Sequence, residues 1–180
     1  MHGIVFEQLR EFVWRTRGAD AWTELVQEVA PERRFYAPDQ KYDDSELEAL
    51  IAAAAAKTGA TRGELLRDFG VFIAPTLADL YAPMISPQWS LLDLLEHVEE
   101  TIHHAVRLDD PSAAPPQLRV ERRDQQTVVV LYNSPRRMCE LAIGIITGLQ
   151  NRYGESVSIS DPTCMHRGDD ICTIEVRRDA

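Results

Sequence analysis

Between residues 4 and 17 the apolar positions Ile4, Val5, Leu9, Phe12, Val13 and Trp14 recur at close to helical spacing, which predicts an amphipathic helix that stops near Gly18. Asp20 is placed to cap a second helix, whose stripe of Trp22, Leu25, Val26 and Val29 runs to Pro31. Asp43-Asp44-Ser45-Glu46 leads into a third, through Leu47, Leu50, Ile51 and a run of alanines to Ala56, closed by Gly59. Thr61-Arg62-Gly63-Glu64 has the spacing of a capping box, in which hydroxyl and carboxylate satisfy free amides at a helix start. Gly70 and Pro75 punctuate the chain beyond Phe69, so the stretch to Leu80 reads as one short helix or two. From Ser90 to about Leu108, Leu91, Leu94, Leu95, Val98, Ile102 and Ala105 form the best-marked helical stripe of the chain.

After it the character of the sequence changes. Asp109 to Pro116 is a linker rich in proline and small residues, and Gln117–Arg122 and Thr127–Tyr132 then read as a hairpin around Arg123-Asp124-Gln125-Gln126. Ser134-Pro135 is expected to open a helix through Leu141, Ile143, Ile145, Ile146 and Leu149. Val157–Ser160 and Cys172–Val176 close the chain as strands around Arg167-Gly168-Asp169-Asp170. The fold class is therefore α+β, helices first and an antiparallel sheet with flanking helices after.

Length and composition narrow the function. The 180 residues make one domain, read as a helical part over 1–60 and a remainder over 61–180, with no room for a separate catalytic effector. The formal net charge of −10 disfavours a phosphate backbone, so nucleic acid is not an expected partner. No apolar run is long enough for a membrane span, and the N-terminus lacks a basic segment followed by an apolar one, so the expected location is the cytoplasm. Three cysteines, an odd number, fit thiolate or metal chemistry there better than a disulfide framework.

Three constellations carry candidate chemistry. His103 and His104 are adjacent on the long helix and cannot face the same way: His103 flanks the apolar stripe, and His104 points to water beside His97 and Glu100. A neutral imidazole at the edge of an apolar pocket suits a metal or haem iron; a half-buried histidine paired with Glu99, four residues earlier, accounts for the same pattern. Tyr132, Ser134 and Arg136 place a phenol, a hydroxyl and a guanidinium at alternate positions where a strand runs into a helix. They could clamp a carboxylate, or Ser134 could merely cap the helix. Cys164 and Cys172, with His166 between them and Cys139 on the preceding helix, could supply a tetrahedral zinc site or be three unrelated buried thiols.

Taken together these residues resemble the haem–nitric oxide/oxygen binding (H-NOX) family, bacterial relatives of the haem domain of soluble guanylate cyclase. The likeness spans the whole chain: Met1-His2-Gly3-Ile4-Val5 is similar to the family's opening, and Asp68-Phe69-Gly70, a histidine-bearing helix, a proline-rich linker and Tyr-x-Ser-x-Arg come after it in the family's order. The resemblance implies a b-type haem between the helical part and the sheet part. His103 would be its axial ligand, with His104 the alternative, Tyr132, Ser134 and Arg136 would hold the propionates, and Pro116 would pack on and distort the porphyrin. Oxygen-binding members carry a distal tyrosine on the helix after Tyr-x-Ser-x-Arg; here Met138 to Ile146 contains none, which implies a sensor of nitric oxide, also taking CO, that excludes oxygen.

A subset of the family holds zinc through a cysteine after that motif, a histidine and a Cys-x7-Cys pair, which carries over to Cys139, Cys164 and Cys172. Asp161 stands at the histidine position, so the fourth ligand is Asp161 or, failing it, His166. The expected function is non-catalytic sensing, relayed to a separate histidine kinase or cyclic-di-GMP enzyme. A haem-independent redox sensor acting through the zinc site is the alternative; a zinc hydrolase is disfavoured because four protein ligands leave no position for water.

Overall fold

A computed structural model describes residues 1–33, 35–111 and 113–179, which fall into two compact units, Met1–Phe69 and Gly70–Ala180. In the first, α1 (Gly3–Arg17), α2 (Ala19–Val29) and α3 (Asp44–Thr58) pack in sequence order, and α4 (Arg62–Leu80) begins. Gly18, not Asp20, stands at the α2 N-cap; Asp20 lies inside the first turn, where its charge still complements the helix dipole. Asp43 caps α3 by accepting from the Ser45 amide at 2.8 Å. Phe6 stacks on Tyr36 at 4.5 Å between ring centroids, and Tyr36 donates to Glu46 at 2.6 Å, so the segment between α2 and α3 is tied down by aromatic contacts and a buried hydroxyl. Burial alone would raise the Glu46 carboxyl, but the hydrogen bonds from Arg33 and Tyr36 outweigh it and hold the group below its ordinary range.

The two breakers expected after Phe69 do not break the chain: α4 runs as a single 19-residue helix through Gly70 and Pro75. Packing explains Gly70. A Cβ there would lie 2.7 Å from the Gly144 Cα, and one at Gly148 would lie 2.7 Å from both the Val71 carbonyl and the Ala74 Cβ. These glycines let two helices touch backbone to backbone, and the second is α7 (Cys139–Tyr153). Gly148→Val is therefore expected to destabilise the protein by about 1–3 kcal/mol, read as a melting temperature lower by about 3–10 °C.

The remainder of the second unit is built on α5 (Leu91–His97), a π-helical turn over Glu99–His103, α6 (His104–Asp109) and a four-stranded antiparallel sheet. Its strands are β1 (Gln117–Arg122), β2 (Thr127–Asn133), β3 (Val157–Thr163) and β4 (Cys172–Arg178), in the order β1-β2-β4-β3. Ser90 and Asp93 cap α5 reciprocally, and its buried Leu91, Leu92, Leu94 and Leu95 join Val128, Val130, Ile174 and Val176 of the sheet and Ile143 and Ile146 of α7 in one core. Arg122 of β1 clasps Asp93 and Glu96 of α5, each at 2.6 Å, fixing the helix across the sheet edge.

Two boundaries differ from expectation. The helix expected from Ser134-Pro135 starts only at Cys139, because Ser134 to Arg137 form a turn, Arg137 donating to the Ser134 carbonyl at 3.1 Å, and Arg137 has φ 48°, which interrupts a helix. β3 extends past Ser160 to Thr163 through a register irregularity that accommodates Pro162. Among the described residues no helix is long and apolar enough to cross a membrane.

Candidate functional site

The histidine-bearing helix is regular to His97 and then takes in one extra residue. The His103 amide donates to the Val98 carbonyl, five residues back, at 3.0 Å, and such π turns concentrate at functional sites. The outcome agrees with the stripe argument: Ile102 is buried, His103 is 15% exposed at its side chain, and His104 is exposed.

The His103 ring is held by its Nδ1, 2.9 Å from Glu99 Oε2, and the Pro116 carbonyl lies close to the imidazole. Burial lowers the imidazole pKa, more than the Glu99 carboxylate raises it, so the ring is neutral near pH 7. A neutral ring that donates through Nδ1 keeps its lone pair on Nε2, the form in which histidine binds a metal. The pairing with Glu99 is thus compatible with a ligand role; the two readings of the sequence describe one geometry.

At the end of β2, Tyr132 and Ser134 are both buried while Asn133 between them is exposed, the alternation of a strand. The Tyr132 hydroxyl accepts from the Met138 amide at 3.2 Å, and burial pushes the phenol pKa up, so it stays a neutral donor. Ser134 Oγ accepts from the Arg136 amide at 3.3 Å, so it closes the tight turn and caps no helix. The Arg136 guanidinium reaches back to the Ala114 carbonyl in the linker. A phenol, a hydroxyl and a guanidinium are thus presented together at the strand end, next to the linker that also touches His103.

Behind the clamp lies the sulfur cluster. Tyr132 is the cross-strand partner of Cys172, and the Met138 amide bound to its hydroxyl immediately precedes Cys139. Cys139, Cys164 and Cys172 are all buried, with sulfurs 3.6 Å apart for the first two and 3.8 Å for the last two. Zinc at about 2.3 Å from each sulfur of a tetrahedron puts the sulfurs about 3.8 Å apart, so the spacing fits a metal without rearrangement. The Met165 amide points at Cys172 Sγ at 3.3 Å, the kind of contact that supports a thiolate ligand.

No carboxylate or imidazole joins the three sulfurs among the described residues. Asp161 is 3.0 Å from Arg167, and His166 turns its Nε2 to the Arg137 carbonyl at 2.7 Å. The structure therefore brings together three of the four expected metal ligands and leaves Asp161 and His166 with other partners. Glu99 is the residue whose importance the sequence understated; its i,i+4 relation to His103 was the available signal.

A histidine bonded to a carboxylate, a tyrosine, a serine and an arginine at a strand end, and a buried trithiol are the candidate groups. Comparison with known proteins agrees: the haem-NO-binding family model matches residues 2–161. The chain belongs to that family, as a haem-binding gas-sensor domain and not a catalyst. An H-NOX protein from S. oneidensis, solved in the Fe(II)NO state, superposes with a TM-score of 0.93 at 26% identity over 100% of both chains. The unliganded Fe(II) H-NOX protein from K. algicida gives a TM-score of 0.90 at 21% identity, covering 100% of this chain and 97% of that one. Soluble guanylate cyclase 89Da of Drosophila melanogaster is 24% identical over 156 residues, 85% of this chain but only 23% of the cyclase.

Proposed function

We propose that this chain senses nitric oxide at a b-type haem ligated by His103. The observation that carries the reading is the largely buried, neutral His103 whose Nδ1 is committed to Glu99, which leaves Nε2 as the ligand atom. The haem, when bound, supplies a ferrous iron able to take a diatomic gas. Tyr132, Ser134 and Arg136 supply two hydroxyl donors and a guanidinium for its propionates. Pro116, whose carbonyl lies close to the His103 ring, is the residue the family resemblance assigns to press on the porphyrin.

Selectivity arises from α7. Its first turns, from Cys139 to Ile146, carry no phenol, so bound oxygen would lack the donor it needs to offset its partial negative charge. Nitric oxide needs no such donor. The test is the absorption spectrum of the reduced protein under NO, CO and air: shifted Soret bands with NO and CO and none with oxygen are expected, and a stable oxygen complex would overturn the assignment.

Cys139, Cys164 and Cys172 are assigned to zinc, on the strength of their sulfur spacing. The fourth ligand is Asp161, which must exchange Arg167 for the metal, with His166 as the alternative. The signal goes to an effector, a histidine kinase or a cyclic-di-GMP enzyme; the family resemblance supports that class. A second reading, a redox sensor acting through the trithiol, is favoured by three sulfurs close enough to pair on oxidation.

A further inference from the structure

Resting on the assignment of His103 as haem ligand, we propose that Glu99 is the positioning residue of that ligand, setting its donor strength and tying its movement to β1 and α6.

Glu99 is not an ordinary helix-surface acid. Its Oε2 accepts from His103 Nδ1 at 2.9 Å and from the Leu118 amide at 3.2 Å, and its Oε1 accepts from Arg107 at 2.6 Å. Three donors from three segments fix both oxygens: the π turn, α6 and the edge strand β1.

Each donor has a distinct consequence. The Leu118 amide belongs to the outer strand of the sheet, whose outward N–H groups have no neighbouring strand, so Glu99 satisfies one of them and anchors the π turn to the sheet. Arg107 neutralises the carboxylate, so the His103 ring need not carry a proton to make the pair favourable. What remains is a neutral Nδ1–H donated to a full carboxylate, an arrangement that orients a ligating imidazole and raises its basicity. Displacement of the His103 ring must strain or break the bond to Glu99, and Glu99 in turn holds the start of β1 and the side chain of α6.

Glu99→Gln keeps the shape and removes the charge. In the ferrous unliganded protein, the iron–histidine stretching band in the resonance Raman spectrum is expected to fall in frequency. The reduction potential should rise, and the histidine should leave the iron about tenfold faster on NO addition. Glu99→Asp, which keeps the charge but withdraws it by one methylene, should shift the band in the same direction and guards against a folding defect in the first variant. A change confined to melting temperature, with band and potential as in the wild type, would overturn the proposal. His103→Gly measured alongside separates the two readings: if the band survives that substitution, the ligand assignment itself has failed, whereas a band that needs His103 but ignores Glu99 defeats only the role given to Glu99.

Discussion

His103→Gly is expected to abolish the histidine-ligated five-coordinate ferrous spectrum, and free imidazole in the millimolar range should restore it. The concentration is set by tethering: an imidazole delivered by its own helix acts at a high effective concentration that a free ligand must match. The cavity is suitable because the replaced ring is largely buried and Glu99 stays in place to receive the N–H of the added imidazole. Glu99 is not orphaned by the substitution, since the Leu118 amide and Arg107 still occupy it, and glycine in the helix costs only about 1 kcal/mol, so the fold should survive. His104→Gly is the control. His104 is exposed and lies on another face, so its loss should leave the spectrum alone. A ferrous spectrum unchanged in His103→Gly would sink the assignment.

The same residues show what a sequence can and cannot disclose. The side of the helix that carries His103 was legible, because Leu91 to Ile102 hold a helical period strong enough to fix a face. The π turn was not, since the extra residue is stabilised by long-range partners: Glu99 bonds to Leu118, nineteen residues ahead, which no local pattern encodes. Gly70 and Pro75 misled in a similar way. Read locally they end a helix; in the fold Gly70 permits the approach of α4 to α7, and that packing overrides propensity. The proximity of Tyr132, Ser134 and Arg136 was legible, but the start of α7 was misplaced by five residues because the left-handed Arg137 has no signature in composition. Three cysteines at wide spacing could be chance until the start of α7, the turn after β3 and β4 brought their sulfurs into contact. Asp161 is the reverse case, a residue in the right place by order whose carboxylate goes to Arg167.

Those sulfurs yield the second large effect. The purified protein is expected to carry about one zinc per chain, and Cys172→Ser to carry almost none. Four ligands share about 10–16 kcal/mol of binding free energy in structural zinc sites, so each thiolate contributes roughly 3 kcal/mol and its loss weakens binding by 100-fold or more. The buried trio makes the stability consequence large as well. Burial and the neighbouring thiols push the Cys139 pKa well up, and burial raises Cys172, so without metal these are neutral thiols packed against one another. With metal at 1,000 times its dissociation constant the native state gains about 4 kcal/mol, or about 10 °C in melting temperature for a chain of this size. A chelator should therefore lower the melting temperature of the wild type by about that amount and that of Cys172→Ser by no more than about a third as much, a comparison made within each protein so that the cost of the substitution itself cancels. Wild-type protein that holds no zinc and ignores the chelator would reduce the cluster to three packed thiols. The tie between Tyr132 and both Cys172 and the segment entering Cys139 gives the result a further reach. Any ion that fixes those two cysteines also fixes the strand end that carries Tyr132, Ser134 and Arg136, the residues proposed to hold the propionates, so zinc removal should speed haem loss more in the wild type than in Cys172→Ser.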